Sequence, residues 1–599
     1  MRRAFANVAS EGDWADSLNP HGDFGSAADW NQHRDAVKGW LADNHREIGR
    51  ISGVLRNGTP LKAIDEAGFA ARLIQDLDTA ASVDRGSADL SERLAHDGLL
   101  PMFGFPSRVR LLYLGRRPSR SYPWPPRGTV DRDLALAVST FAPGASVVRD
   151  GQVFTAIAVV GYSPASPGKA PKADPNPLGD PRLLDMCRVC GSAEDRASDD
   201  PLLLACPRCG SDENYGRVDM REPAGFASTY GEDFDGSFAW ASRSGAVRAV
   251  ADLSNLEKVV ENGVVARSGP GERLVINDRR GEMYKFRQAK PAAQFGGGYY
   301  AIEALDLFAV KATDLNDEEI QVALGASQQT DLLFIGRPEG SIPELGIRLN
   351  FEQHRQPSGV VETWQGRRAA WYSLAALMRR TAATFLDVQP YEFVSGIHIS
   401  AYDGETSSWA FIADVLENGA GFSTHLGTRD QFPKFLSAMT DNIESLRKPD
   451  HAASCSGSCY VCLRDYSNMA FHSLLDWRLA ADLITALSGE APELDPEVAN
   501  RILAGWAQTY GAELLDRGQY GQIRVTREGE TVVLIPRHPL EAYEADGVVA
   551  DRLARESALA SADSGVSAVV MADTFTLETA PRHVLALIDS AIEESAESW

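Results

Sequence analysis

The sequence predicts a multidomain chain of mixed α+β and α/β character. The expected parts are a helical N-terminal region, a small ribbon, a mixed α/β domain and a small C-terminal α/β unit. Three observations carry this reading. At 599 residues the chain is too long for a single core, so three or more domains are expected. Helix-period and strand-period apolar patterns alternate along it instead of segregating. All seven cysteines fall into close-set clusters, with none left over.

Hydrophobic residues make up 44 % and charged residues 24 %, which are ordinary globular values, while the net charge is −24. Such an acidic chain is not a general coat for phosphates, whose binding rests on Lys and Arg, although a local basic channel is compatible with it. No apolar run is long enough to span a bilayer. The start, MRRAFANVASEGDW, has two arginines but lacks the apolar stretch of a signal peptide. The expected location is the cytoplasm, with the cysteines reduced.

Residues 1–97 read as a small helical bundle. Apolar residues recur at three- and four-residue spacings from Trp30 to Leu41, and Phe69, Leu73 and Leu77 mark a second helix. Residues 98–162 form an Arg- and aromatic-rich region. Its first part, 98–130, holds no acidic residue and six arginines: Arg108, Arg110, Arg116, Arg117, Arg120 and Arg127. Phe103, Phe105, Tyr113, Tyr122 and Trp124 are interleaved. Arginine clamps phosphate and aromatic rings stack on bases, so this is the nucleic-acid candidate. A Pro-rich arm packed on an acidic neighbour is the alternative, because Arg–aromatic pairs also build interfaces.

Residues 163–183, with six prolines among Ser, Gly and Ala, read as a linker. Residues 184–225 then carry Cys187-x2-Cys190 and, fifteen residues on, Cys206-x2-Cys209. That spacing predicts a zinc ribbon. Gly191 and Gly210 follow the second cysteine of each pair, where the knuckle needs a permissive backbone. Four thiolates leave no open position for water, so the site should be structural. A redox dithiol is the competing reading.

Residues 226–490 read as an α/β domain. VRAVADL, GERLVIND and TDLLFIG are strands. A hairpin is expected near Asn277–Gly281, carrying a small basic patch of Arg279, Arg280, Lys285 and Arg287 that defaults to a solvated face. Residues 367–386 give the strongest helix, with Trp371, Leu374, Leu377, Met378 and Phe385 facing the core and Arg pairs at the rim. VSGIHIS and WAFIAD read as buried strands. The second ends at Asp414, so Asp414, Glu417 and His425 could hold a cation; a tight turn with an Asx contact is the other reading.

The stretch His451–Trp477 holds Cys455, Cys459 and Cys462, flanked by His451 and His472. Soft ligands this close suit a second zinc, which needs four. Either histidine could be the fourth. His472 is favoured, because a following helix with Leu475, Leu479, Leu483 and Leu487 would hold its ring. About two zinc ions per chain are therefore expected. Residues 491–599 read as an acidic unit of helix (496–515), strands GQIRV and TVVLI, helix (547–560), strand SAVVM and helix (582–594). From residue 470 on there are 22 acidic and 9 basic residues and no lysine, which argues against nucleic acid lying along this unit.

No P-loop, no magnesium-binding Asp-Glu pair at the end of an apolar strand, no His-x-Lys pair and no Gly-x-Ser-x-Gly elbow occurs. The last unit has a nuclease-like order of elements but no lysine for an Asp…Glu-x-Lys centre. ATP hydrolysis by the usual motor mechanism is thereby excluded.

The segment from Cys455 to Trp477 resembles the MrfA-like zinc-binding domain. That domain stands at the C-terminus of MrfA-like (YprA-like) superfamily 2 DEAD/DEAH helicases of bacterial DNA repair and phage defence. Four other segments are similar to the same helicases: Leu99 to Pro106, Glu222 to Phe226, Leu324 to Ala326 with Thr330 and Asp331, and Glu417 to Gly421. So does the start, with Arg2 to Phe5 and His21 to Gly25, resemble the segment that follows the motor in them. The resemblance spans most of residues 1–490 and is loose beyond. Two departures stand out. The RecA-like motor is missing, and Asn468 stands where many relatives have a fourth cysteine. A motorless chain of this kind is similar to the DrmB subunit of DISARM phage defence, which partners a separate helicase subunit. The resemblance implies a non-catalytic zinc-binding accessory subunit of a DNA helicase system, contacting DNA and a separate motor polypeptide. A metal-dependent nuclease using Asp414 and Glu417, and a pure protein-interaction scaffold, are the alternatives.

Overall fold

The computed structural model describes residues 24, 27–56, 66–82, 90–96, 99, 108–121, 124–165, 168–212, 214–236, 247–291, 293–307, 310–352, 364–402, 405–416, 419–542 and 548–597. It is a mixed α/β, multidomain structure. The chain divides into two compact units, residues 1–111 with 131–134, and residues 112–130 with 135–599. The boundary cuts the Arg-rich stretch, leaving Arg108 and Arg110 in the first unit and Arg116 to Arg127 in the second.

The first unit is helical, as its apolar spacing demands. Helices Trp30–Asp43, His45–Arg56, Glu66–Ser82 and Leu90–His96 bury Trp30, Val37, Leu41, Leu73, Leu77 and Leu94 together. Asp78 fixes the register between the first and third of these helices. It accepts a hydrogen bond from Trp30 Nε1 at 2.9 Å and a fork of two from Arg34, both at 2.7 Å.

The second unit is organised on one long strand, Leu315–Gly336. At about 3.3 Å per residue it spans roughly 70 Å, enough to serve several neighbours in succession. Strand Val264–Asn277 pairs antiparallel with it from Val265 opposite Gly336 to Asn277 opposite Leu324. Strand Tyr284–Ala289 continues along the same edge, opposite Val322 to Leu315. The expected hairpin at Asn277–Gly281 is therefore absent: the two strands are collinear and both pair with the long one. Left-handed residues Arg279, Arg280 and Met283 coil the intervening segment out of the sheet and return it to the same line. The basic residues there are partly neutralised, Arg279 by Glu303 and Arg287 by Glu319, while Tyr284 and Phe286 are buried.

On its other edge the long strand receives Glu405–Asp414 antiparallel and Tyr215–Arg221 parallel. Phe393–Tyr402 then pairs with Glu405–Asp414. The helix Gln365–Leu386 crosses one face of this sheet, where Val264, Ala266, Leu333, Ile335, Ala410 and Ile412 meet it. It is buried nearly all round, including Arg367 and Arg379, which were expected at the rim. Burial of Arg379 is possible because its guanidinium donates to Pro390 O at 2.9 Å, Phe393 O at 2.8 Å and Ser467 Oγ at 2.6 Å and pairs with Asp465.

The Pro-rich segment 163–183 is folded, not a free tether. Tyr162–Ser163 pairs with Lys172–Ala173, Asp174 N–H donates to Gly161 O at 2.9 Å, and Leu178 is buried. The ribbon also is built into the large sheet, since Arg182–Cys187 pairs with Tyr215–Arg221, which reaches the long strand. The C-terminal unit has a four-stranded sheet in chain order, antiparallel except for the last pair, Glu530–Arg537 with Ala568–Asp573. Its first helix ends at Tyr510, earlier than expected, because Gly511 turns left-handed and Glu513–Leu515 joins the sheet. No helix among the described residues is long and apolar enough to cross a membrane.

Candidate metal centres and a cationic strip

Both metal-ligand groups read from the sequence close in space. In the ribbon, Cys187, Cys190, Cys206 and Cys209 are buried, with ligand atoms within 4.8 Å of one another. Sγ to Sγ is 3.6 Å for Cys187 and Cys209, and 3.7 Å for Cys190 and Cys206. A zinc ion with bonds of about 2.3 Å needs sulfurs about 3.8 Å apart, so the four fit one tetrahedron.

The two knuckles repeat one hydrogen-bond pattern. Gly191 N–H donates to Cys187 O at 3.1 Å and Gly210 N–H to Cys206 O at 2.9 Å. Cys187 N–H donates to Ser192 O at 3.0 Å and Cys206 N–H to Ser211 O at 2.8 Å. Each knuckle needs a residue at positive φ, and Gly191 and Gly210 supply it at 84° and 77°. Arg208 N–H points at Cys206 Sγ, 3.4 Å away, and Ser192 Oγ is 3.3 Å from Cys190 Sγ. Hydrogen bonds shared among the crowded thiols pull Cys187 and Cys206 below the ordinary thiol range and push Cys190 and Cys209 above it. A dication removes that conflict by making all four thiolate.

The second group is His451, Cys455, Cys459 and Cys462. Cys455 and Cys462 sulfurs are 3.9 Å apart, and His451 Nε2 lies 3.6 Å from Cys459 Sγ. A zinc bond of about 2.0 Å to nitrogen and about 2.3 Å to sulfur predicts about 3.5 Å for that edge. His451 Nδ1 donates to Leu446 O at 2.9 Å, which places the proton on Nδ1 and leaves Nε2 as a bare ligand atom. The described residues therefore carry one group of four cysteines and one of three cysteines with a histidine, and the two fit two zinc ions.

His472, favoured above as the fourth ligand, stands outside this group. Its Nε2 contacts Asp465 O at 3.0 Å and Asn468 Oδ1 at 2.9 Å. The helix beginning at Trp477 does not hold it; His472 lies in the preceding short helical coil, Tyr466–Leu474. Asn468 serves that coil instead of the metal: its Oδ1 accepts from Asp465 N–H at 2.9 Å and its Nδ2 donates to Leu463 O at 2.8 Å. His451 reaches in from the short helix Pro449–Ala452.

Each centre is held by an arginine that the sequence reading passed over. Arg248 binds the carbonyls of Cys187 at 3.3 Å and Ser192 at 3.4 Å, and also that of Gly191. Arg478 binds those of Cys455 at 3.2 Å, Ser456 at 2.9 Å and Ala452 at 3.4 Å, with its guanidinium over the Trp477 ring. Both centres border the same hydrophobic core as the central helix.

Of the candidate nucleic-acid residues, Arg116, Arg117, Arg120 and Arg127 are exposed and have no carboxylate partner among the described residues. Arg116 lies over the Tyr230 ring at 6.0 Å and Arg117 over Tyr162 at 5.5 Å. Trp124 is half-buried close by in sequence. Arg108 and Arg110 belong to the other unit. Phe103, Phe105, Tyr122 and Glu417 lie outside the described residues.

Asp414 is a capping residue. Its carboxylate accepts from the backbone of Ala420 at 2.8 Å, Phe422 at 3.0 Å and Ser423 at 3.0 Å, and from Ser423 Oγ at 2.6 Å. Asp331 does the same beside it, accepting from Gly421 N–H at 3.1 Å and Thr424 Oγ at 2.7 Å. Neither carboxylate is presented to a cation. His425 is not in either metal-ligand group. The segments around Glu222, Ser327, Asp331 and Gly421, separate in sequence, are drawn together here: Glu222 accepts from Ser327 N–H at 2.5 Å and Oγ at 2.7 Å.

No family model matches the chain, and no curated protein matches it. A match among solved structures is a crystal structure of the DUF1998 helicase MrfA bound to DNA, at 8 % sequence identity and a TM-score of 0.23. The match covers 52 % of this chain and 34 % of that one, so this chain spans about a third of that protein's length.

Proposed function

We propose that this chain is a zinc-stapled accessory subunit of a helicase system for DNA repair or phage defence, which contacts DNA and works with a separate motor polypeptide without catalysing a reaction itself. The strip Arg116–Arg127 carries the DNA contact. In a chain of net charge −24, four exposed guanidiniums without carboxylate partners are a local reversal of sign, and two of them are already seated over tyrosine rings, the arrangement that binds phosphate and stacks bases. The motor partner rests on the resemblance of the second metal segment to helicase zinc domains. Asp414, committed to four hydrogen bonds, does not support the nuclease alternative.

The test is a mobility-shift series on single- and double-stranded DNA across salt concentrations, with Arg116→Ala/Arg117→Ala beside the parent. Loss of two phosphate contacts is expected to flatten the salt slope by about two. An unchanged slope, or no DNA binding by the parent at low salt, would sink the DNA contact. Co-purification with a P-loop ATPase and restored unwinding on mixing are the expected outcomes for the motor partner.

A further inference from the structure

Beside the ribbon, the large sheet curls almost into a barrel. Val247–Val250, Val264–Asn277, the long strand, Glu405–Asp414 and Phe393–Tyr402 follow one another by pairing, and the last returns against the first. The approach is close: a Cβ on Gly396 would stand 2.9 Å from Val247 O. Val265, Leu332, Phe334, Trp409 and Phe411 fill the interior.

A strand alternates its side chains, so the residues in step with these also point inward. Arg267 follows Val265, and His398 and Ser400 alternate with Ile397 and Ile399, which face the central helix. These inward polar residues border a cavity of about 450 Å³ with Trp409 and, from the ribbon side, Glu194, Asp195 and Arg208. Apolar walls come from Val250 and Leu253.

The hydrogen-bond inventory of this cavity is unbalanced. Its carboxylates are committed: Asp195 to Arg182, Glu194 to Arg196 and Arg208, and Asp252 to Ser254 and Asn255. Arg267 spends one donor on Leu256 O at 3.3 Å and has no carboxylate partner among the described residues. The Nε atoms of Arg208 and Arg267 are buried without a partner among the described residues. Orphaned buried donors are costly, and a missing ligand is one standard reason for them. His398 Nδ1 lies 3.0 Å from Ala249 O, which can only accept, so Nδ1 carries the proton and Nε2 is a bare acceptor. The cavity therefore lacks an anion and an N–H donor, over an apolar floor suited to a flat ring. Its volume is far more than a lone phosphate needs and lies in the range of small-molecule sites.

We propose that this cavity binds one nucleotide, with its phosphate on the Arg208 and Arg267 guanidiniums and an N–H of its base on Nε2 of His398. The nucleotide comes free in solution or as the end of a DNA strand; only the second source rests on the DNA-contact reading.

The test is calorimetric titration of the zinc-loaded full chain with deoxynucleoside 5′-monophosphates, inorganic phosphate, and short single strands with and without a terminal phosphate. Saturable binding of one nucleotide, or of one strand end, is expected, with inorganic phosphate much weaker. Arg267→Gln and His398→Phe should each weaken it about tenfold, the scale of one charge-assisted or buried hydrogen bond. Arg267→Lys should weaken it less. Zinc content and melting temperature certify that the variants fold. Binding of strand ends but not of free nucleotides, lost in Arg267→Gln, assigns the strand as the source. The Arg116→Ala/Arg117→Ala variant should keep nucleotide binding, which separates this site from the cationic strip. No saturable binding by the parent, or affinity unchanged in both zinc-loaded variants, would overturn the proposal.

Discussion

The two metal centres use the same chemistry on different scaffolds. The ribbon is symmetric: each Cys-x2-Cys brings its own glycine and its own pair of backbone hydrogen bonds. All four ligands come from two copies of one local motif, so spacing alone names them. The second centre draws three thiols from one turn and its fourth ligand from a short helix before that turn. Nothing local repeats, and the fourth ligand is set by where the chain enters. A repeated motif is legible because each half completes itself; a composite site depends on chain direction, which spacing does not encode.

The sharpest way to break this comparison is at the histidines. His451→Ala is expected to lower the zinc content from about two per chain to about one, with a large loss of stability, because structural zinc affinity is folding free energy. His472→Ala should keep both ions. Metal analysis of the two variants by mass spectrometry decides it. Zinc retained in His451→Ala and lost in His472→Ala would restore the assignment that the sequence favoured.

That misassignment shows where sequence reading stops. The helix over 367–386, the strands WAFIAD and SAVVM, and the ribbon ligands all follow from local pattern and were legible. The collinear strands on either side of Asn277–Gly281 were not. Two short strands around a glycine turn look the same whether they pair with each other or with a third. The partner is 22 residues of the long strand, far along the chain. The same limit hid Arg248 and Arg478. Each acts through carbonyls brought near by tertiary packing, and an arginine carries no mark of which carbonyls it will meet. The expected linker at 163–183 misled for the opposite reason: proline content reports stiffness, not whether the segment finds a surface to cover.

The two arginines sharpen the comparison at a smaller scale. Burial lowers the pKa of Arg248 below the ordinary arginine range. Arg248→Ala removes a charged donor from three carbonyls of the ribbon knuckle, of which Cys187 O and Ser192 O keep their backbone amides and Gly191 O loses its guanidinium, at a cost of about 2–4 kcal/mol. Arg478→Ala exposes its carbonyls to water and gives up a ring contact, at about 1–2 kcal/mol. Urea unfolding of both zinc-loaded variants should rank them in that order. The reverse order would mean that the composite centre, not the symmetric one, depends more on its clamp.

The smallest expected difference is in pH dependence, and the two surroundings should respond with opposite sign. Beside the ribbon, burial pushes His398 down to about 4, with Arg208 adding to the shift against the Ala249 hydrogen bond. The unfolded chain binds a proton there near pH 6.5 and the folded chain does not, so this contribution is full above about pH 6.5 and is lost as pH falls toward 4. Beside the second centre, burial pushes Asp476 up to about 7, against the helix amide and the charge of Arg478. Its folded state holds the proton that the unfolded chain gives up near pH 4, so its contribution is full below about pH 4 and is lost as pH rises through 7. Both carbonyl and amide partners remain in place for the neutral isosteres, so His398→Asn should flatten the acid side of the stability profile and Asp476→Asn the neutral side. Each change is on the order of 1 kcal/mol between pH 5 and 7.5, where zinc stays bound. Parallel profiles for both variants and the parent would show that neither group changes protonation between the folded and unfolded chain. The asymmetry between the two centres would then lie in ligand origin alone.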